Sequence, residues 1–137
     1  MEERKQGSPL SFKELSVGFE FPPTRYELSK MIVAKYLEGV EEETDFLTWG
    51  MVPPLAIAAC AMTTLSRSFT VPPGSIHASQ ELEFLKPVPI GASVSCSGRI
   101  AQKLVRGGLS LVILEINVTN QDGERVLVGR ATIAAPN

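Results

Sequence analysis

Leu55-Ala56-Ile57-Ala58-Ala59-Cys60-Ala61-Met62-Thr63-Thr64-Leu65 is the stretch on which the fold turns. Pro53 and Pro54 stand immediately before it, and proline's fixed φ and missing N–H suit the first position of a helix. No charged residue appears until Arg67. A helix on a protein surface shows an apolar stripe and a charged face. This one is apolar or small all round, so it is expected to be buried on nearly every side. Its alanines would let a sheet approach closely.

Everything after it reads as strand. Pro72-Pro73-Gly74 ends the helix, and four runs expected to meander follow. The first, 76–85, is closed by Lys86-Pro87-Val88-Pro89-Ile90-Gly91. The second alternates cleanly, with Ala92, Val94, Cys96, Gly98 and Ile100 on one face and Ser93, Ser95, Ser97 and Arg99 on the other. Gly107-Gly108 is a hairpin signal leading into 109–119, apolar on both faces along most of its length. Such a run suits a central strand, or one that helps to bury a partner. Asn120-Gln121-Asp122-Gly123 is a further turn, before a last strand over 125–134.

Before the helix, Phe19 to Leu28 alternates around Pro22-Pro23, the mark of an edge strand, because proline cannot donate to a ladder. Ser29 is an N-cap for a short helix through Val40, with Ile32, Val33, Tyr36 and Leu37 at helical spacing. Glu41 to Asp45 reads as a solvated acidic loop, and residues 1–16 as polar, irregular and partly disordered. With no repeat and no linker, residues 1–137 form one α+β domain: a long central helix wrapped by a curved antiparallel sheet of about five strands. One sheet edge and part of the helix stay uncovered, which predicts a dimer.

The chain has 137 residues, 20% charged and 44% hydrophobic, as expected of a single soluble domain. A net charge of −2 argues against a nucleic-acid partner. No run approaches the ~18 apolar residues that cross a bilayer, so no membrane is expected. The charged N-terminus leads into no apolar stretch, so a secretory signal is not expected and a cytoplasmic location is. Cys60 and Cys96, both in apolar segments, read as small buried hydrophobes rather than a disulfide.

Four stretches carry a family likeness: Val17-Gly18-Phe19-Glu20-Phe21-Pro22-Pro23 with Tyr36 in the next helix; Val52-Pro53-Pro54-Leu55; His77 through Gly91; and Arg106-Gly107-Gly108-Leu109 through Val126. In order and spacing the chain resembles the N-terminal-type domain of MaoC-like dehydratases. These belong to the hot-dog superfamily, with (R)-specific enoyl-thioester hydratases and 3-hydroxyacyl-thioester dehydratase subunits. The resemblance implies a hot-dog fold and an acyl-thioester substrate. Coenzyme A or phosphopantetheine then arrives as part of that substrate, with no further cofactor and no metal.

Active members of that family place an Asp and a His in the loop after the first helix. Adding water across an enoyl thioester needs a base to activate the water and an acid to protonate the α-carbon, while a helix N-terminus polarises the carbonyl. Here the loop, Glu38 to Gly50, holds carboxylates and no histidine; the chain's one histidine is His77, beyond the central helix. The resemblance therefore implies a degenerate, substrate-holding subunit of a (R)-3-hydroxyacyl dehydratase or enoyl hydratase. Such a chain works as a homodimer or as a heterodimer with a related hot-dog subunit that supplies Asp and His. The alternatives are a non-enzymatic acyl-thioester binding module and a hot-dog acyl-CoA thioesterase. Against the last, no carboxylate occurs between Asp45 and Glu81.

No catalytic residue is assigned. His77, whose ordinary pKa suits acid–base work, and the carboxylates Glu42 and Asp45 are candidates; a strand-end histidine and a solvated charge run are the plainer readings. Trp49, Gly50, Met51, Val52 and Leu55 are candidate substrate contacts, the amides of Gly50, Val52 and Leu55 as donors to the thioester oxygen. Arg67 and Arg106, with Lys86, Arg99 and Lys103, are candidates for the phosphates of the carrier, or else scattered surface cations.

Overall fold

A computed structural model describes residues 10–40 and 45–137. In chain order the elements are β1 (Leu10–Ser11), a 3-10 turn (Phe12–Glu14), β2 (Glu20–Glu27), α1 (Lys30–Gly39), α2 (Asp45–Trp49), α3 (Pro54–Ser68), β3 (Phe69–Thr70), β4 (Ile76–Phe84), β5 (Ser93–Arg106), β6 (Leu109–Thr119) and β7 (Arg125–Pro136). The architecture is α+β: a five-stranded antiparallel sheet on which the long helix α3 lies.

The strand order β2-β5-β6-β7-β4 corrects the expected meander. Only β5, β6 and β7 follow one another through hairpins. The chain crosses the sheet along α3, so the strand before that helix and the strand after it occupy opposite edges. β2 is the edge strand its prolines require, and its register shifts between Phe21 and Thr24, where Pro22 and Pro23 stand. β5 runs to Arg106, well past the alternating stretch, because a register shift between Ile100 and Gln102 lets pairing with β6 continue to the hairpin. Gly107 and Gly108 both have positive φ there, as a two-residue hairpin turn demands.

α3 begins with Pro54 and buries Ala56, Ile57, Ala58, Ala61, Thr64 and Leu65. They meet the inner faces of the sheet at Val94, Cys96, Ile100, Val112, Leu114, Ile116 and Val118, all buried. The approach is close: a Cβ on Gly98 would stand 3.0 Å from both Leu65 Cδ2 and the Glu115 carbonyl oxygen. Buried Thr64 is satisfied by Tyr26, hydroxyl to hydroxyl at 3.0 Å, and by the Cys60 carbonyl. Within one chain the helix is not buried on every side. Leu55, Ala59 and Ser66 form an exposed stripe with Met62 and Thr63 partly covered, because α3 packs on β2, β5 and β6 and leaves the β4 edge free.

Ser29 caps α1, its hydroxyl accepting from the Ile32 N–H at 3.3 Å. The segment 10–16, expected to be irregular, is held down instead. Phe12 and Leu15 are buried, β1 pairs in parallel with β3, and the Lys103 ammonium donates to the Lys13 and Leu15 carbonyls. Residues 1–9 lie outside the described residues. Cys96 is buried and Cys60 half-buried, both as free thiols. No helix among the described residues is long and apolar enough to cross a membrane.

Candidate functional site

The connection between α1 and α3 makes the site. α2 is a single short turn of helix in which Phe46 and Trp49 meet edge to face, ring centroids 5.3 Å apart. Gly50, at φ 72°, reverses the chain. Residues 50–52 then run antiparallel to 88–90: the Val52 N–H donates to the Val88 carbonyl and the Ile90 N–H to the Gly50 carbonyl, both at 2.8 Å. α3 starts from that stitched edge. On the other side, the chain leaving β4 is pinned by the Leu85 N–H, which donates to the Val126 carbonyl at 2.9 Å.

Between these walls lies an apolar pocket of about 330 Å³. α2 contributes Phe46 and Trp49, the bridge Met51 and Val52, the start of α3 Pro54 and Ile57, and the chain from Phe84 to Val88 closes the far side. Among the described residues Lys86 is the one charged side chain in that lining. Among the described residues no histidine or carboxylate lines it. Its size is at the small end of ligand sites, and its walls offer apolar contact area rather than hydrogen bonds.

Of the substrate contacts read from sequence, Trp49, Met51 and Val52 line this pocket. Gly50 and Leu55 do not. Gly50 shapes the turn behind it, and Leu55, 60% exposed, belongs to the uncovered stripe of α3. The expected amide donors are also reduced. The Gly50 N–H already donates to the Leu47 carbonyl and the Val52 N–H to Val88. Leu55 retains the free position, its N–H lying in the first turn ahead of any intrahelical acceptor.

The titratable candidates are elsewhere. His77 is exposed on β4, its Nε2 2.9 Å from Gln80 Oε1. It is separated from the pocket by the length of that strand, about 20 Å at ~3.3 Å per residue. Asp45 starts α2 but points no atom into the lining, and Glu42 lies outside the described residues. Arg67 is in the last turn of α3, with most of that helix, about 20 Å, between it and the pocket. Arg106 ends β5 at the β5–β6 hairpin, whereas the pocket adjoins the opposite end of the sheet. The structure brings neither arginine to the apolar site; the cation there is Lys86.

A second depression, about 950 Å³, opens on the sheet face turned away from α3. Its floor carries Glu20, Arg99, Glu115, Arg130 and Glu81, one from each strand and directly paired in register. Glu115 joins the two arginines, 2.8 Å from Arg99 and 3.4 Å from Arg130. These charges answer one another across the sheet, on the face away from the apolar pocket.

The lining residues that sequence reading did not single out are Phe46, Pro54, Ile57 and, apart from Lys86, the run 84–88. In that run Phe84 and Leu85 were read as the end of a strand and Lys86 to Val88 as part of its terminator; Pro87 was the available signal, since the residue before a proline is held extended and an extended chain can wall a cavity. Among the described residues no group of three or more His, Cys, Asp or Glu is placed to hold a metal.

Comparison with known proteins agrees with this architecture. The family model described as FAS1-like, dehydratase domain region matches residues 16–128. The fold is similar to the (R)-hydratase of A. caviae involved in PHA biosynthesis, at 19% identity and a TM-score of 0.72 over 90% of this chain and 99% of that one. It is similar to a MaoC-like dehydratase of Rhodospirillum rubrum, at 17% identity and TM-score 0.72 over 92% and 96% of the two chains. It is also similar to the HadBC 3R-hydroxyacyl-ACP dehydratase complex of Mycobacterium tuberculosis, at 19% identity and TM-score 0.66 over 87% and 96%. No curated protein matches the sequence. A helix lying on a five-stranded sheet and a family match over most of the chain lead to one statement: this chain belongs to the FAS1-like dehydratase domain region family, with a hot-dog fold similar to that of the MaoC-like dehydratase and (R)-hydratase structures.

Proposed function

We propose that this chain binds the acyl group of a coenzyme A or acyl-carrier-protein thioester, as the substrate-holding subunit of a (R)-3-hydroxyacyl dehydratase or enoyl hydratase. One observation carries the reading. The apolar pocket at the start of α3 is formed, while the chain's sole histidine stands a strand's length away from it. Hydration adds hydroxide to the β-carbon and a proton to the α-carbon, and no imidazole of this chain is near enough to move either proton. The acid–base pair then comes from a related hot-dog partner.

The surfaces left uncovered suit such a partner. β4 is exposed along nearly its whole length, with Ile76 and Phe84 outward, and the apolar stripe of α3 lies open beside it. An unpaired edge next to an apolar face invites pairing with a second sheet. HadBC is itself a complex of two different chains, which supports a heteromeric arrangement here.

The test is crotonyl-CoA hydration, followed by loss of enoyl absorbance. The chain alone is expected to bind acyl-CoA without turnover. Mixed with a hot-dog subunit that carries the Asp/His loop, it should show hydration in the usual enzymatic range, about 1–10³ s⁻¹. Turnover in that range by the isolated chain overturns the substrate-holding assignment. Failure to bind any acyl-CoA overturns the function as a whole.

A further inference from the structure

Lys86 does not stand loose at the pocket. Its Nζ is 3.4 Å from Glu124 Oε2, and its own N–H reaches the Val126 carbonyl. Glu124 is in turn fixed by the β6–β7 turn. Asn120 Nδ2 donates to Glu124 Oε1 at 3.0 Å, while Asn120 Oδ1 accepts from the N–H groups of Asp122 and Glu124. One carboxylate oxygen is thus held by the turn and the other by the lysine. The hydrogen bond from Asn120, then the Lys86 contact, lower the Glu124 pKa, so the carboxylate stays charged. Both side chains are about half exposed. An ion pair in that setting contributes little and exchanges readily.

The asymmetry lies in what surrounds the pair. Among the described residues Lys86 borders an apolar pocket with no other charge in its lining; Glu124 lies outside that lining, on a turn built to hold it. We infer that Lys86 receives the anionic group of an amphipathic ligand whose apolar chain fills the pocket, and that Glu124 is the latch this anion displaces. The inference rests on the acyl-thioester reading and extends it to a residue and a ligand shape. A pocket of about 330 Å³ is small for a ligand site, so short and medium chains fit and long ones protrude. Two sources could supply the anion: a phosphate on the carrier, or a carboxylate of the ligand itself.

The chain contains a single tryptophan, Trp49, and it lines the pocket, so its emission reports occupancy without any turnover. The full-length chain is titrated with octanoyl-CoA, with octanoate and with the neutral octanoyl-N-acetylcysteamine thioester. Lys86→Gln is expected to weaken binding of the anionic probe about five- to tenfold, as loss of one exposed charge-assisted contact would, and to leave the neutral thioester unchanged. Glu124→Gln, which can still accept from Asn120, should tighten the same anionic probe a few-fold by freeing the lysine. A loss confined to octanoyl-CoA assigns the phosphate; a loss confined to octanoate assigns the carboxylate. If both substitutions weaken binding, or the neutral thioester suffers as much as the anions, the pair is a structural clasp and the inference fails while acyl binding stands. If no probe alters Trp49 emission, both readings fall.

Discussion

The Val52 N–H donates to the Val88 carbonyl at 2.8 Å, and this bond helps to join the two walls of the pocket. Val52 leads into α3, whereas Val88 follows β4, so residues far apart in sequence close a single cavity. Both side chains are almost fully buried, which makes them floor rather than rim. Met51, half-buried beside them and paired with Pro89, faces the open volume.

Filling that volume should therefore discriminate by chain length. Met51→Trp is expected to weaken octanoyl-CoA binding about tenfold or more, with butyryl-CoA affected far less, since each methylene excluded from an apolar pocket loses roughly 0.8 kcal/mol. Calorimetric titration of both ligands checks this. Equal losses would mean that the acyl chain lies elsewhere.

Close contact between α3 and the sheet sets the tolerance of the core. Ala61 is buried at the contact, where a larger side chain has no room. Ala61→Leu should destabilise the fold by about 1–3 kcal/mol, measured by urea denaturation. Ala59, one helical face away and exposed, should accept leucine with a change within about 0.5 kcal/mol.

The exposed stripe separates stability from assembly. Ala59→Glu places a charge on the face offered to a partner while leaving the core of the chain alone. Folding by circular dichroism should be retained, and association measured by sedimentation should weaken by tenfold or more, as burying an unpaired charge demands. An unchanged association constant would remove α3 from the interface.

Burial pushes the Cys96 thiol up to about 12, the nearby Cys60 thiol adding to the effect and a Thr64 hydrogen bond opposing it. In the unfolded chain the thiol ionises near its ordinary value. Stability from this group is complete below that value and is lost as pH rises between about 9 and 12, where only the unfolded state releases the proton. The expected slope is about −1.4 kcal/mol per pH unit, and Cys96→Ala should remove that share of it in urea melts. Burial raises the Cys60 thiol too, so native protein should react slowly with a thiol reagent at pH 8, and Cys96 only on unfolding.

Much of the fold was legible because period and punctuation are local. The charge-free run 55–65, the alternation over 92–100 and the turns at Gly107-Gly108 and Asp122-Gly123 each fix an element without reference to the rest. What was not legible depends on pairing at a distance. Nothing within 76–85 announces that β4 joins β7 rather than β5, and Phe12 and Leu15 are too isolated in sequence to advertise burial. The site divides the same way. Trp49, Met51 and Val52, read from their place before a helix, line the pocket, whereas Lys86, read only as one of several cations, pairs with Glu124 on the distant β6–β7 turn. His77, Arg67 and Arg106 were chosen by residue type, and strand and helix lengths place them away from the apolar pocket.

The most direct test of the account is photolabelling with an octanoyl-CoA that carries a diazirine at the end of its acyl chain, mapped by peptide mass spectrometry. Label on Phe46, Met51 or the run Phe84 to Val88, competed by unmodified octanoyl-CoA but not by coenzyme A alone, is the predicted result. Label on the outer sheet face around Arg99, Glu115 and Arg130, or competition by coenzyme A alone, would contradict it.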